Sequence, residues 1–166
     1  LGRTLAAIAG EKAGIIKPGI PVISAPQQPE ALEVFERIAN EKGCEFILVG
    51  KDVKFNRLTS SLDGQILQLT DDTSATIDHK PSTLNLELPL LGSHQIQNAA
   101  TAYAALKTSG IQIADEAIRV GFSHVKWRAR FEVARRDPPV VFDSAHNQDS
   151  FAKLRETLDE HFAGKQ

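Results

Sequence analysis

The spacing of apolar positions changes repeatedly along this chain, and each change predicts an element. From Thr4 to Ile16, the residues Leu5, Ile8, Lys12 and Ile15 recur at helical spacing, with Thr4 placed as a cap and Gly14 near the end, so a helix is predicted. Pro18-Gly19 breaks that pattern, and Ile20-Pro21-Val22-Ile23-Ser24 is a short apolar run suited to a buried strand. Helical spacing returns from Pro29 to Lys42, with Leu32, Phe35, Ile38 and Ala39 on one face and Gly43 past its end. Glu45 to Val49 supplies a second buried run. Strand, helix and strand in this order predict a parallel pair joined by a crossover, which the general rule makes right-handed.

Between Val53 and Leu88 the period shortens to two. Gln65-Ile66-Leu67-Gln68-Leu69 and Leu84-Asn85-Leu86-Glu87-Leu88 alternate apolar with polar, with turn signals at Asp63-Gly64 and Asp71-Asp72, and so predict antiparallel hairpins. Gly92-Ser93 leads into an Ala-rich helix through Ala105, and Ala114 to Val120 forms a second one. Trp127 to Arg130 is expected to be a junction. Phe131-Glu132-Val133 and Pro139-Val140-Val141-Phe142 follow as strands, and Ser150 to Phe162 as an amphipathic helix with Leu154 and Leu158 inward. Only the last few residues are expected to be disordered.

Composition narrows the class. A chain of 166 residues, 42% of them hydrophobic, buries a core of one domain and part of another. A net charge of -2 lacks the broad positive field that nucleic acid binding requires, so no nucleic acid partner is expected. Cys44 is the single cysteine, which excludes an internal disulfide and a thiolate metal cluster and suits the cytoplasm. No apolar run approaches the roughly 18 residues that span a bilayer, so no membrane partner is expected either. The chain contains no Met. An internal piece of a longer protein is the expectation, although removal of an initiator would leave the same trace.

Several polar residues stand where chemistry is possible. Lys12 lies near a helix end, where an ammonium meets carbonyl dipoles, and that reading suffices for Lys12 and for Lys17 alike. Asn98 falls inside a helix that asparagine disfavours, and its carboxamide both donates and accepts, complementing adenine. His94 and Gln95 open that helix, where unpaired backbone donors welcome anions and where capping and packing serve equally well. Arg130 sits among Lys126, Arg128, Arg135 and Arg136 and reads as part of a solvated basic patch. Asp143-Ser144-Ala145-His146-Asn147 follows a strand directly, the place where open α/β sheets bind ligands; Asn147 or Asp149 there also suits a helix cap. The serines have no elbow glycines around them, and the five histidines show no zinc spacing.

Taken in order, Gly10-Glu11-Lys12-Ala13-Gly14-Ile15, Gly92-Ser93-His94-Gln95-Ile96-Gln97-Asn98 and Asp143-Ser144-Ala145-His146-Asn147 resemble the Mur ligase superfamily, most closely the folylpolyglutamate synthase/dihydrofolate synthase family. The resemblance implies an α/β fold in two parts. Residues 1–126 would be the later portion of the central ATP-binding domain, including its antiparallel β segment, and 127–166 the start of a Rossmann-like C-terminal domain. It further implies ATP and magnesium as cofactors, L-glutamate and dihydropteroate or a folate as substrates, and a monomer. Asn98 would meet the adenine, with His94 and Gln95 beside it; Asp143 would accept from the ribose hydroxyls, and His146 would approach the phosphates. Arg130 would meet the transferring phosphoryl group, and Lys12 would carry a carbamate supporting the metal. The catalytic set is then Lys12, Arg130 and His146.

Two departures stand out: Arg128-Ala129 replaces the family's Pro-Gly before Arg130, and Ser144 replaces a glycine. The chain contains no Gly-x-x-x-x-Gly-Lys-Ser/Thr loop, which the family carries upstream, so the isolated chain is expected to have little or no ligase activity. A different amino acid ligase of the superfamily is the nearest alternative. A non-catalytic adenine-nucleotide-binding module is the other.

Overall fold

The structure is a computed structural model that describes residue 2 and residues 4–71 and 82–163. Helix α1, Leu5–Lys12, starts where expected, with the Thr4 hydroxyl accepting from the Ala7 N–H at 3.2 Å, and tightens into a 3₁₀ turn over Ala13–Ile15. Strand β1 (Val22–Ser24), helix α2 (Pro29–Glu41) and strand β2 (Phe46–Leu48) form the expected unit, with β1 and β2 parallel and Val22 opposite Phe46. Proline at the start of α2 suits a position whose N–H has no helical partner.

The inward face of α1 differs from the one its spacing suggested. Leu5, Ile8 and Ile15 are exposed, whereas Ala9, Ala13 and Ile16 are buried, and Ala13 and Ile16 pack with Ala39 and Cys44. Ala13, in the 3₁₀ turn that ends α1, meets Ala39 of α2, and contact between these small side chains lets the two segments approach closely with the Leu5, Ile8 and Ile15 stripe left outside. Cys44 is inert packing, its thiol donating to the Lys17 carbonyl at 3.1 Å.

Strands β3 (Val53–Ser61), β4 (Gly64–Asp71) and β5 (Ser82–Leu88) make the antiparallel sheet in that order. Alternation buries Gln65, Leu67 and Leu69 of β4 with Leu84, Leu86 and Leu88 of β5 on one face. Helices α3 (Ser93–Thr108) and α4 (Asp115–Ser123) cover that face through Ile96, Ala100, Tyr103, Ile118 and Phe122. The first expected turn is present as Leu62-Asp63. Asp72 of the second lies outside the described residues, as do residues 164–166 at the end.

Beyond the junction, β6 (Glu132–Arg136) and β7 (Pro139–Phe142) pair as a hairpin, and α5 (Gln148–Phe162) packs over them. Asn147 caps α5 by accepting from the Ser150 N–H at 2.9 Å, while the Ser150 hydroxyl accepts from the Asn147 N–H at 3.0 Å. Phe131 and Phe162 make a separate core with Leu154, Leu158, Val133 and Val141, to which the first part of the chain adds Leu62 and Leu91. Arg57 of β3 pairs with Glu160 of α5 at 2.9 Å, and the Ser93 hydroxyl donates to Glu156 at 2.6 Å, so α5 is fastened against the start of α3. Among the described residues no helix is long and apolar enough to cross a membrane.

Candidate functional site

The start of α3, the junction before β6 and the loop after β7 open onto one cleft of about 750 Å³, lined by His94, Gln95, Asn98, Arg130, Asp143 and His146. That volume lies within the roughly 300–1,000 Å³ of small-molecule sites. Six of the seven residues expected at a nucleotide therefore converge. The seventh, Lys12, is exposed at the end of α1 and is not among the residues lining the cleft.

Gly92 sets the first wall. Its φ of 104° suits glycine alone, and a Cβ there would come within 2.7 Å of both His94 Cε1 and Thr157 Oγ1. The Gly92 carbonyl accepts from the side chain of Gln65, a buried residue of β4, at 3.1 Å, which joins the sheet to the start of α3. From there His94 and Gln95 turn into the protein. Gln95 is 7% exposed, and its amide nitrogen lies 3.1 Å from His94 Nε2, while its oxygen accepts from Asn98 Nδ2 at 3.2 Å. Burial holds the His94 imidazole below its usual pKa, against the opposing pull of Asp143, so the ring is neutral at pH 7. Asn98 stands exposed one turn further on, at the cleft wall.

The opposite wall is held by Asp143. One carboxylate oxygen accepts from the Phe131 N–H and the other from the Ala145 N–H, both at 2.8 Å, so a single side chain locks the junction to the β7 loop. Ala129 (φ 54°) and Phe131 (φ 49°) are left-handed on either side of Arg130. The turn thus keeps, with alanine, a backbone that glycine adopts without cost. Ala129→Gly is expected to stabilise the protein by about 0.5–1 kcal/mol in chemical denaturation, the left-handed penalty less the extra freedom of glycine when unfolded.

Arg130 points between the Trp127 ring, 5.8 Å from its guanidinium carbon, and the Ser144 hydroxyl, to which Nη1 donates. The hydroxyl that replaces the family's glycine therefore contacts the arginine. His146 Nδ1 lies 3.0 Å from the Ser144 carbonyl, which leaves Nε2 the outward nitrogen.

Sequence reasoning missed further lining residues: Pro26, Gln27 and Gln28 after β1, Gln97 on α3, and Asp149 and Lys153 at the start of α5. Pro26 to Gln28 were findable, because they follow the carboxyl end of a parallel strand just as Asp143 follows β7. Lys153 faces the cleft beside Glu156, with which it pairs at 3.1 Å; Ser93 and Lys153 together hold that carboxyl below the ordinary range. Among the described residues no three His, Cys, Asp or Glu side chains come together to hold a metal.

No protein-family model matches the chain. It is 38% identical over 98% of its length to the dihydrofolate synthase/folylpolyglutamate synthase of Bacillus subtilis, of which it covers 37%. The crystal structure of folylpolyglutamate synthase from Thermotoga maritima superposes with a TM-score of 0.85 at 29% identity, over 99% of this chain and 37% of that one. A complex of FPGS with AMPPCP and folate superposes at 0.82 with 32% identity, over 98% of this chain and 39% of that one. The chain thus spans little more than a third of the length of these relatives. In sequence and in fold it belongs to the folylpolyglutamate synthase/dihydrofolate synthase family.

Proposed function

We propose that the full-length protein is an ATP-dependent ligase that joins L-glutamate to dihydropteroate or a folate, and that this chain supplies the wall of its nucleotide site. The observation that carries the reading is the convergence of Asn98, Arg130, Asp143 and His146, from three separate segments, on one cleft. A flat base beside Asn98 would also meet an apolar wall, because Gln95, Asn98 and Arg130 border a hollow lined by Leu90, Ala102, Leu106 and Trp127. Relatives of the same fold bind AMPPCP and ADP.

In this reading the substrate carboxylate attacks the γ-phosphorus of ATP, ADP departs, and the amine of glutamate then displaces phosphate from the acyl phosphate to leave an amide. The chain's own residues orient and stabilise. Asn98 reads the base, Asp143 accepts from the ribose with the lone pairs its two backbone bonds leave free, and the Arg130 fork and His146 meet the phosphates. His94 and Gln95 stand behind Asn98. Residues 1–126 belong to the central domain and 127–166 open the C-terminal one, a division supported by a core around Phe131 and Phe162 that is distinct from the one beneath the antiparallel sheet, although Leu62 and Leu91 reach into it from the first part.

Magnesium would accompany the triphosphate. The described residues offer it no ready cluster, and both Asp143 oxygens already accept backbone bonds, so phosphate oxygens, water and other parts of the protein would supply most of its ligands. Lys12, as a carbamate, would add one carboxylate-like group. Lys12→Arg keeps the charge and forbids the carbamate; it is expected to lower activity about 10–100-fold, and removal of carbon dioxide should depress the wild type but not the variant.

The reading is tested by measuring phosphate release from ATP by the full-length protein. Release that requires both L-glutamate and a pterin acceptor supports it; release stimulated by another amino acid and a different carboxylate would favour another ligase of the superfamily. ATP binding without turnover would favour a binding module.

A further inference from the structure

We infer that His94 and Gln95 form a two-state hydrogen-bond relay that sets which way the Asn98 amide faces, making them positioning residues for base selection at the proposed nucleotide site. The inference rests on that reading of the cleft. Asn98 Nδ2 donates to Gln95 Oε1 at 3.2 Å, and Gln95 Nε2 lies 3.1 Å from His94 Nε2. An amide nitrogen only donates, so the histidine nitrogen it faces must accept, which places the ring proton on Nδ1. Nδ1 is itself buried with no partner, so its proton is left unpaired there, a cost carried by the bonds that hold Gln95 between His94 and Asn98.

All donors in the relay then point one way, from Asn98 to Gln95 to His94. Asn98 Oδ1 has no partner among the described residues, and with the second Nδ2 proton it forms the edge presented to the cleft. Oxygen beside N–H complements the 6-amino group and N1 of adenine. A 6-oxo base with a protonated N1 needs the reverse order. An unrestrained asparagine would rotate to satisfy either base, whereas one locked by a buried glutamine discriminates.

The relay has one other self-consistent state. A proton on His94 Nε2 makes that atom a donor, Gln95 must turn its oxygen toward it, and its amide group then donates to Asn98 Oδ1, reversing the edge. The charged groups that act on His94 are Asp143 after β7, Lys153 and Glu156 of α5, and Arg130 of the junction, two of each sign. Burial is the largest influence on the ring, and burial favours its neutral form. The adenine-reading state needs Nε2 unprotonated, which the neutral ring allows and the imidazolium forbids, so that state is lost as pH falls through the lowered histidine value.

The experiment compares kcat/KM for ATP and ITP in the full-length protein between about pH 8 and about pH 5. The two nucleotides share their triphosphate, so its own titration cancels in the ratio. Wild type should prefer ATP at high pH and lose that preference as the solution is acidified. Gln95→Leu should reduce the ATP preference about tenfold at neutral pH, mostly through KM for ATP, and make it independent of pH. Gln95→Glu should retain the preference and also flatten its pH dependence, because a carboxylate accepts from both Asn98 and a protonated His94. A purely structural role for Gln95 would weaken both nucleotides alike. An unchanged ratio in Gln95→Leu, or a wild-type ratio that is flat with pH, overturns the relay while leaving the nucleotide site standing. Should wild type bind neither nucleotide, the site reading falls and the relay with it.

Discussion

Replacing Arg130 by alanine is expected to lower kcat/KM of the full-length ligase by about 10²–10³ while leaving its thermal stability almost unchanged. Among the described residues no carboxylate pairs with Arg130; its contacts are the face of Trp127 and the hydroxyl of Ser144. No described residue therefore neutralises its positive charge, which is available to the oxygens of a transferring phosphoryl group. Charge that develops in the transition state is stabilised only by donors already in place, and the left-handed residues on either side fix where this one points. Arg130→Lys keeps the charge but loses the fork, and an intermediate loss should follow. Steady-state kinetics paired with thermal melting decide the matter: activity within about threefold of wild type in the alanine variant would remove Arg130 from the chemistry.

Gly92→Ala is expected to destabilise the protein by about 2–6 kcal/mol, combining roughly 1–3 from overpacking with roughly 1–3 from a backbone conformation that alanine resists. The new Cβ would be 2.7 Å from Thr157 Oγ1, and that hydroxyl is tied to the Lys153 carbonyl at 2.8 Å, so α5 cannot yield without losing its contact with α3. The other side is His94, the base of the relay to Asn98. At about 2–4 °C per kcal/mol, the melting temperature should fall by roughly 4–24 °C, accompanied by weaker ATP binding. A melting temperature within a degree or two of wild type would show that the close packing of α3 against α5 is not needed for the fold.

The parts of the molecule that were legible in the sequence are those where local pattern and tertiary packing agree. The alternation in β4 and β5 survives as a buried face because a two-residue period leaves only one way to cover it. The α2 crossover was equally plain, whereas Asn147 was one of two candidate caps for α5, beside Asp149, and the structure selects it. Where packing depends on small side chains, the pattern misled: Leu5 and Ile8 outweigh Ala9 and Ala13 in hydrophobicity, yet the two alanines are the buried positions because they allow this segment to lie close to its neighbours. At the site, motif order identified residues far apart in sequence that the fold brings together. It could not reveal the burial of Gln95 or the approach of Lys153, since both follow from how α5 docks on α3. Nor could it show Ala129 holding the conformation of the glycine it replaces, because side-chain identity restricts that backbone without excluding it.

The most direct test is a crystal structure of the full-length protein with a non-hydrolysable ATP analogue. The base should lie within hydrogen-bonding distance of Asn98, the ribose beside Asp143, and the phosphates toward Arg130 and His146. A nucleotide bound elsewhere, with this cleft left to solvent, would contradict the account.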